Sequence, residues 1–185
     1  TQKLCSFLSK ESINIPIVFT SSVQAENESD YGLSKYNSEK AIREFVNNSN
    51  KSAIIYRLPN VFGKWCKPNY NSVVATFCHN IANNIPIKIR DRNFEIPLIY
   101  IDDLVLDIAK IIEDTPNGIL YNDVKPVYRI KLGQLADKIR DFESTRNNLE
   151  VCEVGKGLTR ALYSTFISYL EPKNFHYKIP QHKDS

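Results

Sequence analysis

The 185-residue chain contains no methionine, so it has no initiator residue and is expected to be a piece of a longer protein. Glycine is scarce. The six glycines never fall in a Gly-x-x-Gly-x-x-Gly spacing, which excludes from this stretch the turn that seats a pyrophosphate on a helix N-terminus. Cys5, Cys66, Cys78 and Cys152 have neither the close paired spacing of a zinc site nor the pattern of a secreted disulfide framework. His79, His176 and His182 form no ligand cluster, so no metal is expected. No signal peptide and no apolar run of spanning length is present, and the expected compartment is the reducing cytosol. Basic residues (24) are scattered among acidic ones (21). That pattern offers no nucleic-acid or membrane surface, and the net charge of +3 gives a mild attraction for small anions.

What is present reads as alternating helices and strands. Gln2–Lys10 is a helix remnant, Ile15–Thr20 a buried strand, and Lys35–Asn48 a helix whose Tyr36, Ala41, Ile42, Phe45 and Val46 form an apolar stripe. Ala53–Leu58 is a second buried strand, 71–83 a helix, Ile85–Ile89 a short strand, Asp102–Ile112 an acid-capped helix, 119–122 a further extended stretch, and Leu132–Phe142 a helix. Strands separated by helices imply a parallel sheet with crossover connections. The fold class is therefore α/β.

The chemistry concentrates in Tyr31-Gly32-Leu33-Ser34-Lys35, which follows a strand ending near Ser21-Ser22. A phenol and an ammonium at i and i+4 share one helix face, and the cation favours the phenolate. Four Tyr-x-x-x-Lys spacings occur, starting at Tyr31, Tyr36, Tyr121 and Tyr169. Pro172 breaks the last, and Asn122, Asp123 and Pro126 make a turn of the third. The first two share a helix but point in different directions, since five residues rotate it by about 500°. Tyr31 is nearer the serines, and small Gly32 after it is read as leaving room for a ligand. Trp65 and Tyr70 are read as loop anchors in the core, with stacking on a base as the second reading.

Ser21-Ser22, Tyr31-Gly-x-Ser-Lys35 with Glu39 four residues on, Arg57-Leu-Pro-Asn-Val-Phe-Gly63 and Ile99-Tyr-Ile-Asp-Asp-Leu104 together resemble the extended short-chain dehydrogenase/reductase (NAD-dependent epimerase/dehydratase) family. The stretch Phe62–Cys78 is most similar to its capsular-polysaccharide subgroup, whose reductases act on a UDP-2-acetamido-2,6-dideoxy-4-keto-hexose on the route to UDP-N-acetyl-L-fucosamine. The likeness runs from Thr1 to the C-terminus. It implies that residues 1–185 are the C-terminal part of a Rossmann-like parallel sheet with crossover helices plus a small substrate-binding lobe. The cofactor-binding N-terminal half would lie upstream and a cupin domain downstream, and the parent would be a homodimer.

The resemblance further implies NADPH as hydride donor and a UDP-sugar as substrate. Tyr31 is then the general acid, Lys35 binds the nicotinamide ribose, and Ser22, or in second place Ser21, bonds the substrate carbonyl. Pro59 lines the nicotinamide face, Asn60 meets the sugar or diphosphate, and Lys64, Lys67 and Asn71 meet the UDP phosphates. Relatives carry an Arg-Asp pair where this chain has Glu95-Ile96-Pro97-Leu98, which transfers the phosphate grip to Arg90 or Arg92. An epimerase or dehydratase uses the same tyrosine and lysine, but Val23-Gln24 after Ser22 lacks the acid and base that a dehydratase needs. A regulator that only binds dinucleotide is the non-enzymatic alternative. This stretch alone is expected to be inactive.

Overall fold

The computed structural model describes residues 1–11, 15–148, 150 and 153–177. Along the chain run α1 (Gln2–Lys10), β1 (Ile17–Ser22), a 3-10 turn (Val23–Glu26), α2 (Asp30–Ser49), β2 (Ala53–Leu58), β3 (Asn60–Phe62) and α3 (Val73–Ala82). Then follow β4 (Glu95–Tyr100), α4 (Ile101–Glu113), β5 (Ile119–Tyr121), β6 (Tyr128–Lys131), α5 (Leu132–Asn148) and α6 (Gly157–Ile167). They fall into two compact units, Thr1–Pro59 with Asp102–Val127, and Asn60–Ile101 with Tyr128–Ser185.

The first unit holds a parallel sheet in the order β1-β2-β5, with Ser21 opposite Arg57 and Ser22 opposite Leu58. Parallel neighbours cannot be joined by a tight turn, so α2 makes the crossover between β1 and β2. Side chains alternate across each strand. One face packs Ile17, Ala53 and Ile55 against Cys5 of α1 and Ile42, Phe45 and Val46 of α2. Tyr56, fully buried, donates from its hydroxyl to Asp107 Oδ2 of α4 at 2.9 Å. Burial and then that carboxylate push the Tyr56 phenol up to about 12. Helix α2 starts where Ser29 Oγ accepts from Gly32 N–H at 3.1 Å and ends at Asn50 in the left-handed region.

The second unit pairs β3 with β4 in parallel and β4 with β6 antiparallel. Its core joins Phe62, Phe77, Leu98, Leu135, Ile139 and Phe166 from the sheet and from α3, α5 and α6. Each such side chain contributes about 1.5–3 kcal/mol by leaving water.

One local expectation differs. Residues 85–89 form no strand: they follow the left-handed turn at Asn84, and Pro86 has no N–H for a ladder. Instead Ile87 and Ile89 pack onto the core as irregular chain. The strand of this region is β4, which the sequence disguises with Pro97 at its centre.

Candidate active site

The turn after β1 and the first turn of α2 set the site. A Cβ at Gly32 would lie 2.2 Å from the Gln24 carbonyl oxygen and 2.5 Å from that of Asn27. The missing side chain therefore lets α2 press on the 3-10 turn, and the reading of Gly32 as ligand room is corrected. Tyr31 is left 53% exposed at the edge of this contact. Lys35 Nζ donates to the Thr20 carbonyl oxygen of β1 at 3.0 Å and stands 5.7 Å from the centroid of the Tyr31 ring. The other tyrosines are engaged differently. The Tyr36 ring carries the Arg43 guanidinium at 5.6 Å, Tyr121 donates to Glu39, and Tyr169 donates to the Cys66 carbonyl oxygen.

The two serines point to different tasks, because neighbours on a strand face opposite sides. Ser21 Oγ, buried, donates to Glu39 Oε1 at 2.6 Å. Ser22 Oγ accepts from Gln24 N–H at 3.1 Å and caps the 3-10 turn. Accepting that bond leaves the Ser22 hydroxyl proton to be donated elsewhere.

Beneath them lies a charged cluster that sequence reasoning missed as a unit. Glu39, with a fully buried side chain, accepts from Arg57 Nε at 3.0 Å and Arg57 Nη2 at 2.8 Å, from Ser21, and from Tyr121 Oη at 3.2 Å. Arg57 Nη1 donates to Glu26 at 2.7 Å. Burial works to raise the Glu39 carboxyl, but the hydrogen bonds from Arg57 and Ser21 and the guanidinium charge outweigh it and hold the group below the usual carboxylate range. The signal was available: Arg57 is a lone charge inside the otherwise apolar strand Ala53–Leu58, and a buried charge needs a partner.

The remaining site residues belong to other surroundings. Pro59 follows β2 and is half-buried. In the second unit, exposed Asn60 opens β3 and its amide donates to the Pro97 carbonyl oxygen at 3.2 Å. Lys64, Lys67 and Asn71 are exposed on the loop after β3, with Lys67 Nζ 5.5 Å from the Tyr70 ring centroid. On that loop Trp65 is 82% and Tyr70 75% exposed, so neither anchors it in the core. Arg92 is committed to Asp137, Nη2 to Oδ2 at 2.6 Å, and Arg140 shares the same carboxylate at 3.2 Å. The hydrogen bond from Arg92 holds Asp137 below the usual carboxylate range. Arg90 is exposed.

A tyrosine and lysine one turn apart, docked on the end of a parallel strand, are found here within residues 10–122, the segment that matches the model of the NAD dependent epimerase/dehydratase family. The chain belongs to that family. A relative from Pseudomonas aeruginosa, UDP-2-acetamido-2,6-beta-L-arabino-hexul-4-ose reductase, is 44% identical over 184 residues, covering 100% of this chain and 50% of its own length. The crystal structure of capsular polysaccharide assembling protein CapF from Staphylococcus aureus superposes with a TM-score of 0.91 at 38% identity, over 99% of this chain and 51% of that one. The chain thus spans about half the length of the relatives it matches. UDP-glucose 4-epimerase of Thermus thermophilus, solved in complex with NAD, shares the fold at 15% identity and a TM-score of 0.65, over 84% of this chain and 64% of its own. Among the described residues of this family member, no helix is long and apolar enough to cross a membrane.

Proposed function

We propose that the protein reduces the 4-keto group of a UDP-2-acetamido-2,6-dideoxy-hexulose with NADPH, in the synthesis of capsule or surface-polysaccharide precursors. The observation that carries this reading is the Tyr31–Lys35 pair tied to β1 through the Thr20 carbonyl, two residues before Ser22. The 44% identity to a 4-keto-hexulose reductase along the whole chain supports the substrate class.

The residues fit the nicotinamide-ribose end of a dinucleotide. An ammonium has three donors, and Lys35 uses one on Thr20, which leaves donors for a ribose diol. Tyr31, half exposed, leaves its phenol open to a sugar ring. The dinucleotide, when bound, supplies the hydride to the ketone carbon. Tyr31 Oη gives its proton to the ketone oxygen as negative charge develops there, a contribution of about 10²–10⁴ in rate for a positioned acid. Ser22 donates its hydroxyl proton in a hydrogen bond to the same oxygen. Lys35, held by Thr20, steadies the phenolate that remains. Asn60, Lys64, Lys67 and Asn71 supply amides and cations suited to a sugar diphosphate, and Pro59 an apolar wall for the nicotinamide. Ser21 and Arg92 are occupied by Glu39 and Asp137 and serve as supports of their neighbours. Exposed Val23 and Gln24 offer no carboxyl beside Ser22, and Glu26 is paired with Arg57, so reduction is favoured over dehydration.

The test uses the protein expressed from its complete reading frame. Tyr31→Phe should leave dinucleotide binding within about threefold while ketone-dependent NADPH oxidation falls by about 10²–10⁴. Unchanged turnover would reject Tyr31 as the acid, and isomerisation of the sugar without net NADPH consumption would assign an epimerase.

A further inference from the structure

Tyr31, Lys35 and Glu39 stand at i, i+4 and i+8 on α2, one stripe of the helix surface. The reaction described above uses the first two and leaves the third unexplained. Yet Glu39 is the residue of that stripe with the most directional contacts. Its carboxylate, with no exposed surface, accepts from Ser21 at 2.6 Å, from Arg57 Nε and Nη2 at 3.0 and 2.8 Å, and from Tyr121 at 3.2 Å. These donors sit at or near the ends of β1, β2 and β5, so one side chain of α2 reads the position of all three parallel strands. A carboxylate offers about four lone-pair sites. Here all are used.

The geometry points to Glu39, with Arg57 as its counter-charge, as a positioning residue of the Tyr31 site. It fixes the roll of α2 about its own axis and so sets the phenol and the ammonium relative to Ser22. This inference rests on the reading of Tyr31 as the acid. Apolar packing is non-directional and would hold α2 on the sheet over a range of rolls. A carboxylate forked by a guanidinium defines one. The leverage is large: a helix with its side chains has a radius of about 5–6 Å, so a roll of about 10° carries a side-chain tip through about 1 Å. A misplacement of about 1 Å can lower a rate by about 100-fold. The grip also holds Ser21, the neighbour of Ser22, so acid and oxyanion donor are referenced to the same carboxylate.

Glu39→Gln keeps the shape and removes the charge, and Tyr121→Phe removes one hydroxyl while keeping the ion pair. In the protein expressed from its complete reading frame, and below the unfolding temperature of each variant, Glu39→Gln should lower kcat by at least about 10-fold, with KM for dinucleotide and sugar ketone within about threefold. The solvent deuterium isotope effect on kcat should rise, because proton delivery from a displaced phenol becomes slower than hydride arrival. Tyr121→Phe should shift both in the same direction by a smaller factor, and it gives the reading if Glu39→Gln does not fold. A kcat within about twofold of wild type in the folded variants, or a loss that tracks only the unfolded fraction, would overturn the positioning role. Tyr31→Phe, assayed in parallel, separates the two claims. Inactive Tyr31→Phe beside unaffected Glu39→Gln and Tyr121→Phe rejects the positioning role alone, whereas active Tyr31→Phe rejects the acid and the positioning role with it.

Discussion

Lys35 donates to the carbonyl oxygen of Thr20 at 3.0 Å and thereby fastens the helix that carries Tyr31 to main chain two residues ahead of Ser22. The contact makes the lysine a structural tether as well as a charge. Lys35→Ala should therefore weaken dinucleotide binding and lower kcat together, by about 10²–10⁴ in kcat/KM. Lys35→Met, which keeps much of the stem and loses the charge, should be no more active. Steady-state kinetics with varied NADPH decide it, and a variant impaired in KM alone would show that the charge does not act on the phenol.

The serines should separate cleanly. Ser22→Ala removes the proposed oxyanion donor and should lower kcat by about 10²–10³ with little loss of thermal stability. Ser21→Ala leaves Glu39 short of one donor and should destabilise the fold by about 1–3 kcal/mol, with the smaller kinetic effect. Reversal of that order in parallel kinetic and melting measurements would move the catalytic assignment to Ser21.

Acid should find the Glu39–Arg57 pair. A carboxyl held below its ordinary value in the folded state contributes stability that is complete above the unfolded value of about 4.3 and is lost as pH falls through the folded one. Breaking the pair by Glu39→Gln leaves Arg57 without its main counter-charge and should cost about 3–5 kcal/mol at pH 7. Urea unfolding of both proteins should show this gap narrowing below about pH 4.3, as wild type loses the contribution that the variant lacks. A gap constant from neutral pH to about pH 3 would contradict the depressed carboxyl.

Gly32→Ala places a methyl group 2.2 Å from the Gln24 carbonyl oxygen, a separation that real structures do not tolerate. The helix start must shift, at a cost of about 1–3 kcal/mol. Because Tyr31 is the adjoining residue, activity should fall by more than the melting temperature suggests. Gly118→Ala is the informative comparison: space there is open and only the positive φ resists.

In the second unit, Leu135→Ala should cost about 2–5 kcal/mol by opening a cavity in the core between sheet and helices. Calorimetric or denaturant unfolding reads the loss directly.

Local pattern carried much of this protein. The apolar strands at Ile17–Ser22 and Ala53–Leu58, the crossover helix between them and the Tyr31–Lys35 spacing follow from burial and periodicity, which act over a few residues and are written along the chain. The choice of Tyr31 over Tyr36 rests on chain distance to a strand end, and Tyr31→Phe is its test.

What tertiary structure alone decided depends on partners far apart in sequence. Glu39 meets Arg57 and Tyr121 across 18 and 82 positions, and no local pattern states that a helix glutamate will be buried rather than solvated. The small size of Gly32 is needed by carbonyl oxygens of a turn whose path the sequence does not announce. Pro97 argues against a strand until β3 and β6 are seen to flank it, and Trp65 and Tyr70 argue for burial until their loop is seen to carry them outward. Hydrophobicity and helical period select elements. Which polar side chains those elements turn inward, and against what, is settled by the pairing of strands and the docking of helices that bring distant donors and acceptors together.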